Sequence, residues 1–128
     1  MKKKVYQELA SRLVALRNCN ESGNEEWADK HEDRINEITA KHLPSGSGID
    51  SGNEFDLSRS TPDKLVIESG YHVMDENGFY NGWIDYMVIV EPSLQFGCTV
   101  SIRGKFGKRQ DIKEYLEEIY TDAIHQEI

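Results

Sequence analysis

Apolar residues recur at helical spacing from the start of the chain. Val5, Leu9, Leu13 and Leu16 share one face of a helix predicted over residues 4–19. The turn formers of Asn18-Cys19-Asn20-Glu21-Ser22-Gly23-Asn24 then break the pattern. A second helix is predicted over residues 24–42, with the stripe Trp27, His31, Ile35, Ile38 and His42. Ser22 and Glu25 stand at capping-box spacing, with Asn24 a competing N-cap. Pro44 ends the helix, because proline disfavours helical geometry in the residue before it. The short connection predicts an antiparallel helical hairpin over residues 1–43.

Residues 44–53 are rich in glycine and serine and read as a loop. Beyond them the period changes from helical to alternating, and a sheet is predicted over residues 54–103. Phe55 and Leu57 suit a short edge strand. In residues 64–74, Leu65, Ile67, Tyr71 and Val73 alternate with Glu68, Gly70 and His72. Asp75-Glu76-Asn77-Gly78 reads as a hairpin turn, with positive φ angles expected at Asn-Gly. Residues 80–91 are nearly all apolar across Met87-Val88-Ile89-Val90, which suits a central strand covered on both faces. Over residues 96–103, Phe96, Cys98, Val100 and Ile102 are expected to point inward, and Gly97, Thr99, Ser101 and Arg103 outward. A last helix over residues 110–127 presents Ile112, Tyr115, Leu116, Ile119, Tyr120 and Ala123. Asp111 and Glu114 again have capping spacing. These elements predict a single α+β domain: an N-terminal helical hairpin, a three- to four-stranded antiparallel β-meander and a C-terminal helix packed on the sheet.

A length of 128 residues allows a real hydrophobic core without staples. No apolar run approaches the roughly 18 residues of a membrane span. The basic start is not followed by an apolar signal core, so no membrane or secretory role is expected. Cys19 and Cys98 form neither a disulfide framework nor a zinc set, which suits a reducing compartment.

Charge is unevenly spread. Residues 44–102 carry two basic and nine acidic side chains, whereas Arg103, Lys105, Lys108 and Arg109 follow with no acid among them. The net charge of −8 argues against general nucleic-acid binding. The order of elements is similar to the double-stranded-RNA-binding domain, but the His-Pro-type turn of that domain is replaced here by Asp75-Glu76-Asn77-Gly78. The basic quartet precedes a helix N-terminus, where backbone N–H groups and the helix dipole favour an anion. It is the candidate ligand site, alone or with the glycine loop.

Other chemistry is weaker. Gly46-Ser47-Gly48-Ile49-Asp50-Ser51-Gly52 lacks the strand-to-helix context and the Gly-Lys-Ser/Thr ending of a phosphate loop. The turn at Asp75 has no acid at the twelfth position that a calcium loop needs, where Tyr86 stands. His31 and His42 lie about three helical turns apart, too far for one metal. No metal or cofactor is expected. His72 with Asp75 or Asp85 is the one acid–base pairing worth carrying, as a small hydrolase reading. Cys98, at an inward strand position, reads as an inert thiol.

His42-Leu43-Pro44-Ser45-Gly46-Ser47-Gly48, the turn at Asp75 with residues 80–83, and Pro92-Ser93-Leu94 with Phe96-Gly97 together give a resemblance. The chain resembles a group of small proteins encoded by bacteriophages, prophages and plasmids, over most of residues 5–125. That resemblance implies a bacterial cytoplasm and an accessory role, often directed against host defence. It transfers no activity to a residue. The expected function is therefore binding: modulation of a host or phage protein with a basic surface, with Tyr80, Trp83, Glu117 and Glu118 as partner-facing residues. The alternative is a small-ligand binder or sponge that takes a nucleotide-like anion through Arg103, Lys105, Lys108 and Arg109.

Overall fold

The structure, a computed structural model, describes residues 1–95 and 97–125. Phe96, and residues 126–127 of the predicted last helix, lie outside the described residues. The elements are α1 (Lys3–Ser22), α2 (Glu25–His42), β1 (Ser47–Gly48), β2 (Asn53–Phe55), β3 (Leu65–Met74), β4 (Tyr80–Ser93), β5 (Gly97–Gly104) and α3 (Gln110–His125).

The helical hairpin forms as expected, with shifted ends. α1 runs on to Ser22 and stops at Gly23, whose φ of 74° lets its neighbour Asn24 donate back to the Cys19 carbonyl at 2.9 Å. Asn24, rather than Ser22, caps α2 by accepting from the Trp27 N–H at 3.3 Å. Across the hairpin, Arg34 grips both oxygens of Glu8, at 2.8 and 2.7 Å. The hydrogen bonds from Arg34, outweighing burial, hold the Glu8 carboxyl below its usual range.

The sheet departs from the expected antiparallel meander. It has five strands in the order β1-β2-β3-β4-β5, and it is mixed, because β1 pairs parallel to β2. The glycine-rich segment supplies the extra strand. Gly46 takes a φ of 86°, the Asn53 N–H donates to the Gly46 carbonyl at 2.9 Å, and the Asn36 side chain on α2 accepts from the Ile49 N–H at 3.0 Å. Two short strands tied by one return of chain have no alternating stretch long enough to be read as a period.

The hairpin between β3 and β4 also differs in detail. Gly78 alone has positive φ, at 80°, and its N–H donates to the Asp75 carbonyl at 3.0 Å. This is a type I turn closed by a left-handed glycine. Asp75 Oδ1 accepts from the N–H groups of Asn77 and Phe79, each at 2.9 Å.

One face of the sheet carries the core. Ile67, Val88 and Ile102 stand side by side across β3, β4 and β5, and they pack with Leu9, Leu13 and Leu16 of α1, Ile35 and Ile38 of α2, and Leu116 and Tyr120 of α3. All three helices thus lie on this face. Some stripe residues are corrected. Trp27 is 52% exposed, and α2 buries Ala28 and Thr39 instead. In α3, Tyr115 is exposed and Ile119 half-buried, whereas Ile124 is fully buried. Cys98 is buried at its inward position, and burial pushes its thiol up. Among the described residues no helix is long and apolar enough to cross a membrane.

Two core-margin histidines give a pH prediction. His42 is buried, and its Nδ1 has no hydrogen-bond partner among the described residues. Burial first, then the α-amino group of Met1 and Lys41, lower its pKa. His31 is lowered by burial and by Arg12, whose guanidinium lies 3.2 Å from Nδ1. The unfolded chain takes up these protons below about pH 6.5 and the folded chain only at lower pH. Stability should therefore fall as pH drops through about 6.5, by at most about 1.4 kcal/mol per pH unit for each group. Glu32, raised by burial and nearby acids, and Glu68, raised by Asp56, act in the opposite sense. The readout is therefore the difference between the native chain and His42→Leu, in urea melts between pH 7.5 and 5.5. Parallel pH dependences in the two proteins would show that His42 contributes nothing.

Candidate functional site

Strand alternation leaves a second sheet face on which no helix of the described residues packs. Glu68, Gly70 and His72 of β3, Met87, Asp85 and Trp83 of β4, and Arg103 of β5 all point to it. Register decides which of them meet. Glu68, Met87 and Arg103 form one row across three strands; Gly70 is paired with Asp85, and His72 with Trp83. One end of this face is roofed by residues 56–64. Ser60 Oγ accepts from the Val66 N–H at 3.1 Å, and Val66 and its cross-strand partner Ile89 are buried beneath, outside the main core. The other end is open.

At the open end three rings cluster. The His72 ring meets Trp83 edge-on, with centroids 4.5 Å apart, and Tyr80 at 5.4 Å. Tyr80 is 61% exposed and Trp83 48%, with Met74 and Phe79 also exposed beside them at the hairpin. Large rings left in water on one patch are the uncommon observation here, since single exposed apolar residues are ordinary. The indole N–H of Trp83 donates to Asp85. From Trp83 an open groove of about 710 Å³ runs over Met87 to Arg103 and Lys105, bordered by Glu68 and Asp85.

This geometry regroups the residues singled out from the sequence. Tyr80, Trp83, His72 and Asp85 share the open face with Arg103 and Lys105, although the sequence suggested separate roles for them. The basic quartet is divided. Arg109 is tied to Asp111 by two bonds, at 3.1 and 3.0 Å, and those bonds hold the Asp111 carboxyl down. Lys108 and Arg109 do not line the groove. Phe106, between the two halves, is buried in the core and turns the chain inward there. The glycine loop lies at β1, the opposite edge of the sheet from β5, so it and the basic loop do not form one cradle. Glu117 and Glu118 sit on α3, on the helical side, away from Trp83, and Glu117 lies 3.9 Å from Lys113.

The acid–base pairing is not assembled. Among the described residues neither Asp75 nor Asp85 hydrogen-bonds to His72. Asp75 is occupied by backbone N–H groups of its turn, and Asp85 by the Trp83 indole. Sequence reasoning missed the part played by Gly70. A Cβ there would overlap the Trp83 indole, so the glycine is what lets the ring lie against β3. A glycine within an alternating strand was the available signal. No protein-family model, curated protein or solved structure matches this chain.

Proposed function

We propose that this chain is a small binding protein that engages a protein partner through the open face of its sheet, anchored by Trp83 and Tyr80. The observation that carries the reading is the exposed ring cluster of His72, Tyr80 and Trp83 on a sheet face that no helix of the described residues covers. Aromatic residues dominate the energetics of protein interfaces when they are desolvated by a partner. The net charge of −8 suits a host or phage protein with a basic surface, drawn in by long-range attraction. The resemblance to small proteins of phages, prophages and plasmids supports a bacterial cytoplasmic setting and a modulating or inhibitory role. A second reading is a nucleotide-like anion bound by the same face. It is supported by Arg103 and Lys105, which border the groove and have no ion-pair partner among the described residues.

The protein-partner reading is tested by variants on the two sides of the sheet. Tyr80→Ala and Trp83→Ala should each weaken capture of the partner by about tenfold or more. The double variant Glu117→Lys with Glu118→Lys should retain it, because α3 lies on the other side. Higher salt should slow association while changing dissociation little. Loss of capture in the α3 variant, with the ring variants unaffected, would move the interface off the open face.

A further inference from the structure

The open face holds a stacking surface and, in the same groove, two cations without an ion-pair partner among the described residues. We infer that this groove is a binding site for a planar heteroaromatic ring carrying phosphate, that is, a nucleotide or the end of a single-stranded RNA. The inference rests on the anion reading above and assigns its residues anew.

The ring surface is set before any ligand arrives. One face of the Trp83 indole lies against Gly70, where a side chain would overlap it. Its N–H is held by Asp85, and the His72 ring braces it at a centroid distance of 4.5 Å with an interplanar angle of 84°. Trp83 remains 48% exposed, so part of the ring meets water. A fixed, exposed indole is a platform for another flat ring, and base–aromatic stacking of this kind changes affinity by about five- to a hundredfold. Aromatic fixation before binding also lowers the entropy lost on binding.

The charges of the groove are not equally available. Glu68 lies 3.9 Å from Arg59, and Asp56 beside it pushes its carboxyl up by sharing a hydrogen bond. Asp85 is engaged by the indole. Arg103 and Lys105 have no hydrogen-bond or ion-pair partner among the described residues. The groove is bordered by two carboxylates and two cations, and Arg103 and Lys105 are its cationic side, open to an anion even in a chain of net charge −8. The backbone arrangement keeps both cations there. Arg103 points outward from β5, and Phe106 drops into the core, where Gly104 leaves room for its ring. Lys105, between them, borders the groove.

The dimensions agree. The indole lies over Gly70 on β3, and Arg103 stands on β5, two strand spacings across and two residues along, or about 12 Å away. A sugar between ring and phosphate, met by the long Arg103 and Lys105 side chains, spans that gap. The groove volume of about 710 Å³ lies within the range of about 300–1,000 Å³ typical of small-molecule sites. The carboxylates of Glu68 and Asp85 border the same space and can accept from amino or hydroxyl groups of a base or sugar.

The chain has two tryptophans, so Trp27→Phe leaves Trp83 as the sole indole reporter. In that protein, AMP, ADP, ATP, adenosine, ribose 5-phosphate and a short single-stranded RNA should be titrated by tryptophan emission and by calorimetry. Nucleotides should quench Trp83. Adenosine and ribose 5-phosphate should each bind about tenfold or more weakly than AMP. Arg103→Gln and Lys105→Gln should each weaken AMP by a similar factor, with melting temperatures unchanged, and Trp83→Leu should abolish the calorimetric signal. RNA binding with the same dependence on these residues supports the site and names the strand end as its source. If ribose 5-phosphate binds as well as AMP and Trp83→Leu has no effect, the stacking site is overturned and only an anion patch survives. If none of these ligands gives heat or quenching, the anion reading fails with it, while loss of the protein partner in Trp83→Ala would still be expected.

Discussion

Replacing Leu116 by Ala should lower the free energy of unfolding by about 2–5 kcal/mol. Leu116 is buried on α3 and belongs to the cluster that joins that helix to β5 and β4. Its truncation removes apolar contact and leaves a cavity that close-packed neighbours fill only in part. Tyr120, one turn on, limits that collapse: it is fully buried, and its hydroxyl lies 3.5 Å from the Tyr86 hydroxyl on β4. The measurement is the urea midpoint at fixed slope, with Tyr115→Ala as the exposed comparison on the same helix. Tyr115 is 52% exposed and should cost far less. A Leu116→Ala loss below about 0.5 kcal/mol would place α3 off the sheet.

Gly70→Val should dismantle the open face while leaving the fold in place. Any Cβ at position 70 overlaps the six-membered ring of Trp83, which cannot give way as a flexible chain end would. The indole must swing into water, leaving Asp85 and the brace of His72. Valine suits a strand, so the change in stability should stay within about 1 kcal/mol. Binding at this face, to the protein partner or to a nucleotide, should fall by about tenfold or more. With Trp27→Phe as background, Trp83 emission should shift to the red. Unchanged emission together with unchanged binding would show that the indole does not rest on Gly70. The two experiments separate what holds the domain together from what the open face does, because Leu116 and Gly70 lie on opposite sides of the same sheet.

Much of the architecture follows from local pattern. Leu9, Leu13 and Leu16 recur at the helical period, and they are buried. The apolar run of β4 marks a central strand, and Val88 and Val90 lie in the core while Ile89 is buried on the other face. In β5, Cys98 and Ile102 point inward and Arg103 outward, as alternation requires. These features were legible because burial on one side imposes a period of two or of 3.6, and a period can be read within a single segment. Trp27 was misplaced for the same reason. A large apolar residue at the first turn of α2 fits the stripe, but the buried face of the helix runs through Ala28, Ile35, Ile38 and Thr39, one position round from Trp27, and Lys30 Nζ lies over the Trp27 ring at 4.5 Å.

The sequence by itself determined the three helices, the position of the β3–β4 hairpin and the inward side of each long strand. Only the tertiary structure decided that the glycine-rich segment adds a parallel strand, that Arg109 is spent on Asp111, and that Trp83, Asp85, Arg103 and Lys105 border one groove. The physical reason is register. A strand's own alternation states which face a residue takes, but its neighbours on that face come from other strands, and the pairing of Trp83 with His72 and of Met87 with Arg103 is set by where the whole hydrophobic core closes.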